Sequence, residues 1–195
     1  MDSHNERPPV TRVAAGDDLS PYDKTSIALH WTTASLIFLL FGLEEVRGFF
    51  SLKSTRHMVD TIHVSFGLIL IFVLGLRIIW RLRPGRKTRD AGTGIIERAA
   101  KAVHFILYVL LSGQAFLGIL TRWTDNHPLT FFGLQIPSPF GSFSKATGDF
   151  VYEIHDVMAW VIMGFVGVHA TAALFHHFIL RDDILTRMLP RRRNS

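Results

Sequence analysis

Four apolar stretches, each at or near the length of a membrane crossing, leave this chain few ways to fold. They run near Ile27–Leu43, Ile62–Trp80, Val103–Leu120 and Val151–Phe178. A helix needs roughly 20 apolar residues to cross the hydrocarbon core, and in lipid a single segment satisfies its own backbone polar groups only as a helix. The pattern predicts an all-α protein, an integral membrane four-helix bundle. Bulk composition does not decide this, because 48% hydrophobic residues would also fit a soluble chain. The clustering decides it.

The segments between the stretches carry the charge. Of 21 Lys and Arg residues, 16 lie before the first span, from Arg77 near the end of the second span to Lys101 before the third, or after the fourth, while Arg47, Lys53, Arg56, Arg122 and Lys145 lie on the other side. The positive-inside rule then places both termini and the middle loop in the cytoplasm. The formal charge of +5, with its run Arg191-Arg192-Arg193, reads as a topology signal beside anionic lipid, with no nucleic-acid role. Residues 1–25 are polar, without an apolar stretch, and are expected to form a flexible, uncleaved extension. Residues 26–180 would be the membrane domain and 181–195 a basic tail. An outer loop is expected at Glu44–Thr61, an inner one at about Arg81–Arg98, and a long outer one at Arg122–Asp149 whose Pro137-Ser138-Pro139-Phe140-Gly141 reads as turns. The absence of cysteine removes disulfides, c-type haem attachment, iron–sulfur clusters and thiol catalysis.

The histidines carry the chemistry. His155 and His169 lie fourteen residues apart in the fourth stretch, so on a helix they stand about 21 Å apart and within about 40° of one line. Histidine in a bilayer is rare and usually functional, and this placement suggests a helix carrying two stacked haems. Because alternate spans run in opposite directions, His63 and His155 fall near the outer face and His30 and His169 toward the inner. These depths permit two pairs, and facing helices of a bundle can ligate a haem from both sides. Neutral imidazole binds iron without bringing formal charge into lipid. Gly67, Gly164, Gly167, Ala159 and Ala170 would admit a flat macrocycle, and equally suit close helix packing. His104, at about the inner depth, stays open as a ligand by spacing alone and reads as a group beside the inner ring or its propionates. His176 and His177 fall at the inner interface.

Several segments resemble the bacterial cytochrome b561 family, in particular its stand-alone members that act as superoxide:ubiquinone oxidoreductases. They are Ala28-Leu29-His30-Trp31, Glu45-Val46-Arg47-Gly48-Phe49-Phe50, Ile62-His63-Val64-Ser65, and Val168-His169-Ala170-Thr171-Ala172-Ala173-Leu174-Phe175-His176-His177, with the tail from Asp182 through Met188-Leu189-Pro190-Arg191-Arg192-Arg193. The likeness covers nearly the whole chain from about Ser26. It implies a multi-pass protein of the bacterial inner membrane, a four-helix bundle enclosing two b haems, with His30 paired to His169 and His63 to His155 as axial ligands.

The resemblance further implies an enzyme, a superoxide oxidase: superoxide gives up an electron at the periplasmic face, and ubiquinone collects two. Bis-histidine haems leave no open coordination position, so such a protein moves electrons at ring edges. Arg47, Lys53, Arg56, Arg122 and Lys145 are candidates for steering the superoxide anion. Lys101, His104, His176 and His177 are candidates near a quinone. The partners expected are superoxide, quinone and the lipid bilayer, and a protein partner is not required. One alternative is a cytochrome b anchor relaying electrons between a partner dehydrogenase or hydrogenase and quinone. Another is a histidine-lined metal or proton transporter, which fits poorly with the paired depths.

Overall fold

The first helix begins where Asp23 caps it. The Asp23 carboxylate accepts from Ser26 N–H at 3.0 Å and from Ser26 Oγ at 2.6 Å, supplying a partner for one of the amides that a helix start leaves open. From there a computed structural model describes residues 22–83 and 94–189. The expected N-terminal extension up to residue 21, the middle of the inner loop at 84–93 and the arginine run of the tail lie outside the described residues.

Four long helices make the fold: α1, Lys24–Arg47; α2, Lys53–Leu82; α3, Ile95–Thr124; and α4, Lys145–Phe175. The last continues through one π-helical turn, His176–Leu180. Each is long and apolar enough to cross a membrane, and each outruns its apolar stretch because polar residues extend the helix past the lipid. The expected outer loop at Glu44–Thr61 is for that reason mostly helix, leaving only residues 48–52 between α1 and α2. Arg47 Nε and Asp60 Oδ1, 2.5 Å apart, tie the two helical ends together.

α1 packs chiefly on α2, and α3 on α4, so the bundle is two helical hairpins facing each other. Leu36 and Leu40 meet Leu70 and Val73 inside the first hairpin. Leu74, Leu111 and Ile162 join α2, α3 and α4 at mid-depth. Phe38, Phe72, Phe105, Phe116, Trp160 and Val168 stand exposed on the outside, a surface suited to lipid and costly in water.

The long loop after α3 is more ordered than a set of turns. It contains a β-hairpin, β1 (Leu129–Phe131) and β2 (Leu134–Ile136), paired antiparallel with Phe131 opposite Leu134. Its two central residues, Phe132 and Gly133, have φ of 45° and 99°, the left-handed pair that tight hairpins require. Fully buried Ser65 of α2 anchors it: Ser65 Oγ accepts from Phe132 N–H at 3.0 Å and lies 3.2 Å from Thr130 O. This end of the bundle is the hairpin end. The opposite, tail end is closed by the segment after α4, which folds back so that Trp31 Nε1 donates to Met188 O at 2.7 Å.

Candidate functional site

Between the two helical hairpins the intramembrane histidines meet in pairs. His63 of α2 faces His155 of α4 with ring centres 6.5 Å apart, and His30 of α1 faces His169 of α4 at 6.2 Å. Two imidazoles bound on opposite sides of one metal, with a metal–nitrogen bond of about 2.0 Å and each ring centre about 1.1 Å further back, stand about 6.2 Å apart. Both gaps match that span. His104 of α3 approaches His169 with ring centres at 5.0 Å, too close for a metal between the two on one axis.

α4 carries the line on which both levels stand. His155, Ile162, His169 and His176 recur every seven residues, which keeps them near one face of a helix. Buried Ile162, with Leu74 and Leu111, fills the apolar layer between the levels.

At the hairpin-end level a cavity of about 250 Å³ opens beside His63 and His155 and is lined by all four helices. His63 and His155 both line it, and the Nδ1 atom of each ring is buried away from solvent. α3 forms the floor under His155. A Cβ on Gly118 would sit 3.2 Å from His155 Cε1, so the absent side chain makes room for the ring. One turn earlier, Gln114 Nε2 donates to the His155 carbonyl at 3.0 Å. The paired rings, the cavity and the glycine seat together fit a flat, metal-centred macrocycle.

The five cations suggested for steering are placed unequally. Arg47 and Arg122 line the cavity; Arg47 pairs with Asp60 and lies 3.7 Å from Glu44. Arg122 reaches Pro128 O at 3.4 Å, and its Nε is buried without a partner. Lys53 and Arg56 stand outside the lining, Arg56 donating to Phe50 O at 2.6 Å. Lys145 pairs with Asp149 at 2.7 Å on the exposed start of α4. The same lining holds Glu44, Glu45, Asp60, Asp125 and Asp156, so its carboxylates outnumber its arginines.

The tail-end level has another character. Arg77 of α2, which nothing in the sequence pattern singled out, points its guanidinium at His30 Nδ1 at 3.0 Å and lies 5.3 Å from the centre of the Tyr108 ring. Of the suggested quinone residues, His104 touches His169, Lys101 pairs with Glu97 one turn away, and His177 stacks edge-on against Phe178. His176 Nδ1 lies 2.5 Å from Asp182 Oδ2. Burial pushes the Asp182 carboxyl up, but the hydrogen bonds from His176 and from Ile184 N–H outweigh it and hold the group below its ordinary value.

Comparison with known proteins follows the same lines. The family model described as prokaryotic cytochrome b561 matches residues 21–191. The chain is 30% identical to cytochrome b561 homolog 2 of Escherichia coli (strain K12) over 175 residues, covering 86% of this chain and 90% of that protein. It is 28% identical to cytochrome b561 homolog 1 of the same organism over 183 residues, 90% of this chain and all (100%) of that one. It is 29% identical to a protein named probable superoxide oxidase CybB of Yersinia pestis over 174 residues, 88% of this chain and 97% of the relative. The matched residues take in all four helices and both histidine levels.

Proposed function

The chain belongs to the prokaryotic cytochrome b561 family, multi-pass inner-membrane electron carriers with b-type haem, and on that premise we propose a diheme cytochrome b that oxidises superoxide outside and reduces ubiquinone. The observation that carries the reading is the pair of histidine gaps, 6.5 and 6.2 Å, at two levels of one bundle. His63 with His155, and His30 with His169, are the proposed axial ligands. Bound there, haem supplies a one-electron carrier at each level.

The residues divide the remaining work. Gly118 and Gln114 seat His155, while Arg77 places a positive charge beside His30. Ile162, Leu74 and Leu111 keep water from the layer between the levels. The excess of Lys and Arg beside the tail end supports placing that end in the cytoplasm and the hairpin end in the periplasm. The net reaction balances as two superoxide anions losing one electron each to give two dioxygen molecules, while one ubiquinone gains those two electrons and two protons. His104 and the His176–Asp182 pair support a tail-end quinone site, because quinone reduction needs protonatable groups near the acceptor. His176 lies about two helical turns beyond His169 on the same line.

Superoxide as donor rests on the name of the Yersinia relative, with Arg47 and Arg122 as the cations nearest the hairpin-end level. One observation favours a second reading, a partner protein as donor: the acidic excess in the cavity lining repels a small anion and suits a cationic docking patch. A superoxide source supplied to the purified protein with a soluble ubiquinone decides between them. The superoxide reading predicts quinol formation at one per two superoxide anions consumed. A cytochrome that superoxide fails to reduce would refute it and leave the partner-fed relay. If the arginines steer the anion, its rate falls as salt rises; a rate that climbs with salt assigns control to the carboxylates.

A further inference from the structure

The two histidine levels are chemically alike and electrostatically opposite. If both hold haem between two imidazoles, as proposed above, axial ligation cannot separate their potentials, and the remaining levers are hydrogen bonding, burial and nearby charge. Charge differs most. Around the hairpin-end pair, α1 contributes Glu44, Glu45 and Arg47, α2 contributes Asp60, α3 contributes Arg122 with Asp125 at its end, and α4 contributes Asp156. Arg47 is compensated by Asp60.

At the tail-end level Arg77 stands beside His30, and both Arg77 and Arg81 lie against the Tyr108 ring. Arg77 touches His30 directly and Arg81 lies 5.8 Å from the Tyr108 ring centre. Among the described residues, the carboxylates of that end are engaged with other groups: Asp23 with Ser26 and Trp80, Glu97 with Lys101, Asp182 with His176 and Asp183 with Arg187. Ferric haem carries one more positive charge than ferrous haem. Carboxylates therefore stabilise the oxidised form, and cations the reduced form. Iron on one nitrogen of a neutral imidazole leaves the proton on the other, so Arg77 acts on this level as a nearby cation and not as a donor to His30.

We infer that this asymmetry sets the tail-end haem at the higher potential, with Arg77 as its principal tuning residue, so that an electron entering at the hairpin end runs downhill across the membrane. Arg77 is a positioning and tuning residue and does not itself touch the reacting oxygen species. The inference depends on the two-haem reading, but it fails separately from it.

The test is a spectroelectrochemical titration of the full-length protein in detergent. His63→Ala identifies the hairpin-end wave by its loss. The tail-end wave should be the higher, by at least a tenfold preference of the electron for that level, about 59 mV for a one-electron couple. Arg77→Gln should lower that wave by a comparable factor and move the other less, whereas Arg77→Lys should retain most of the difference. Asp156→Asn, on the other level, should raise the hairpin-end wave. A tail-end wave at or below the other, or one that Arg77→Gln leaves in place, overturns the inference while two haems remain. Fewer than two haems per wild-type chain would overturn the two-haem reading and this inference with it. If Arg77→Gln does not fold, the order of the wild-type waves and the direction of the Asp156→Asn shift still decide.

Discussion

Gly118 illustrates how little at the residue scale separates a packing position from a functional one. An alanine methyl there would meet His155 Cε1 at 3.2 Å, closer than a carbon–carbon contact of about 3.5–4.0 Å allows. The ring would have to yield by a few tenths of an ångström. Gly118→Ala is expected to reduce haem occupancy or shift the absorption band at the hairpin-end level alone, with the tail-end haem and helix content unchanged. Equal change at both levels, read by difference spectroscopy against His63→Ala, would contradict the seat. In the sequence Gly118 is one of several small residues in apolar helices, and its role depends on the α3–α4 packing that brings it under the ring. Arg77 was equally hidden, because an arginine near the end of a span reads as a topology charge. The four paired histidines were legible, because a helix converts their spacing directly into depth.

At the scale of elements, the apolar stretches showed the helices but not their ends. Glu44–Arg47 and Lys53–Thr61 look like loop on hydropathy, yet their backbones satisfy themselves as helix, and the Arg47–Asp60 pair holds them in register. The β-hairpin was missed for a related reason. Its turn is Phe-Gly rather than the usual Asn-Gly, and its strands are only three residues each, so it depends on an anchor outside the loop. That anchor is Ser65, two residues beyond His63. Ser65→Ala would remove the partner of Phe132 N–H, at a cost of about 0.5–1.5 kcal/mol. Hydrogen exchange across residues 129–136 should accelerate while haem content is retained. Exchange at the wild-type rate would show that the hairpin is held by other contacts, such as the Phe66–Phe132 ring pair.

For the whole molecule, two helical hairpins clasp an apolar layer between two histidine levels, with carboxylates concentrated at one end and cations at the other. The topology of four spans and the bias of Lys and Arg were readable from the chain alone, since both follow from where lipid tolerates charge. The uneven charge around the two levels was not readable, because Glu44, Asp60 and Asp156 come from three helices and Asp125 from the cap of the fourth, and they converge only in the assembled bundle. The central claim is that this bundle holds two haems, each between a histidine pair. Haem content per chain, measured together with the dithionite-reduced minus oxidised spectrum of the purified protein, tests it most directly. The account predicts two b-type haems per wild-type chain and one in either His63→Ala or His155→Ala; a wild-type chain with one haem or none, or two haems surviving both substitutions, would contradict it.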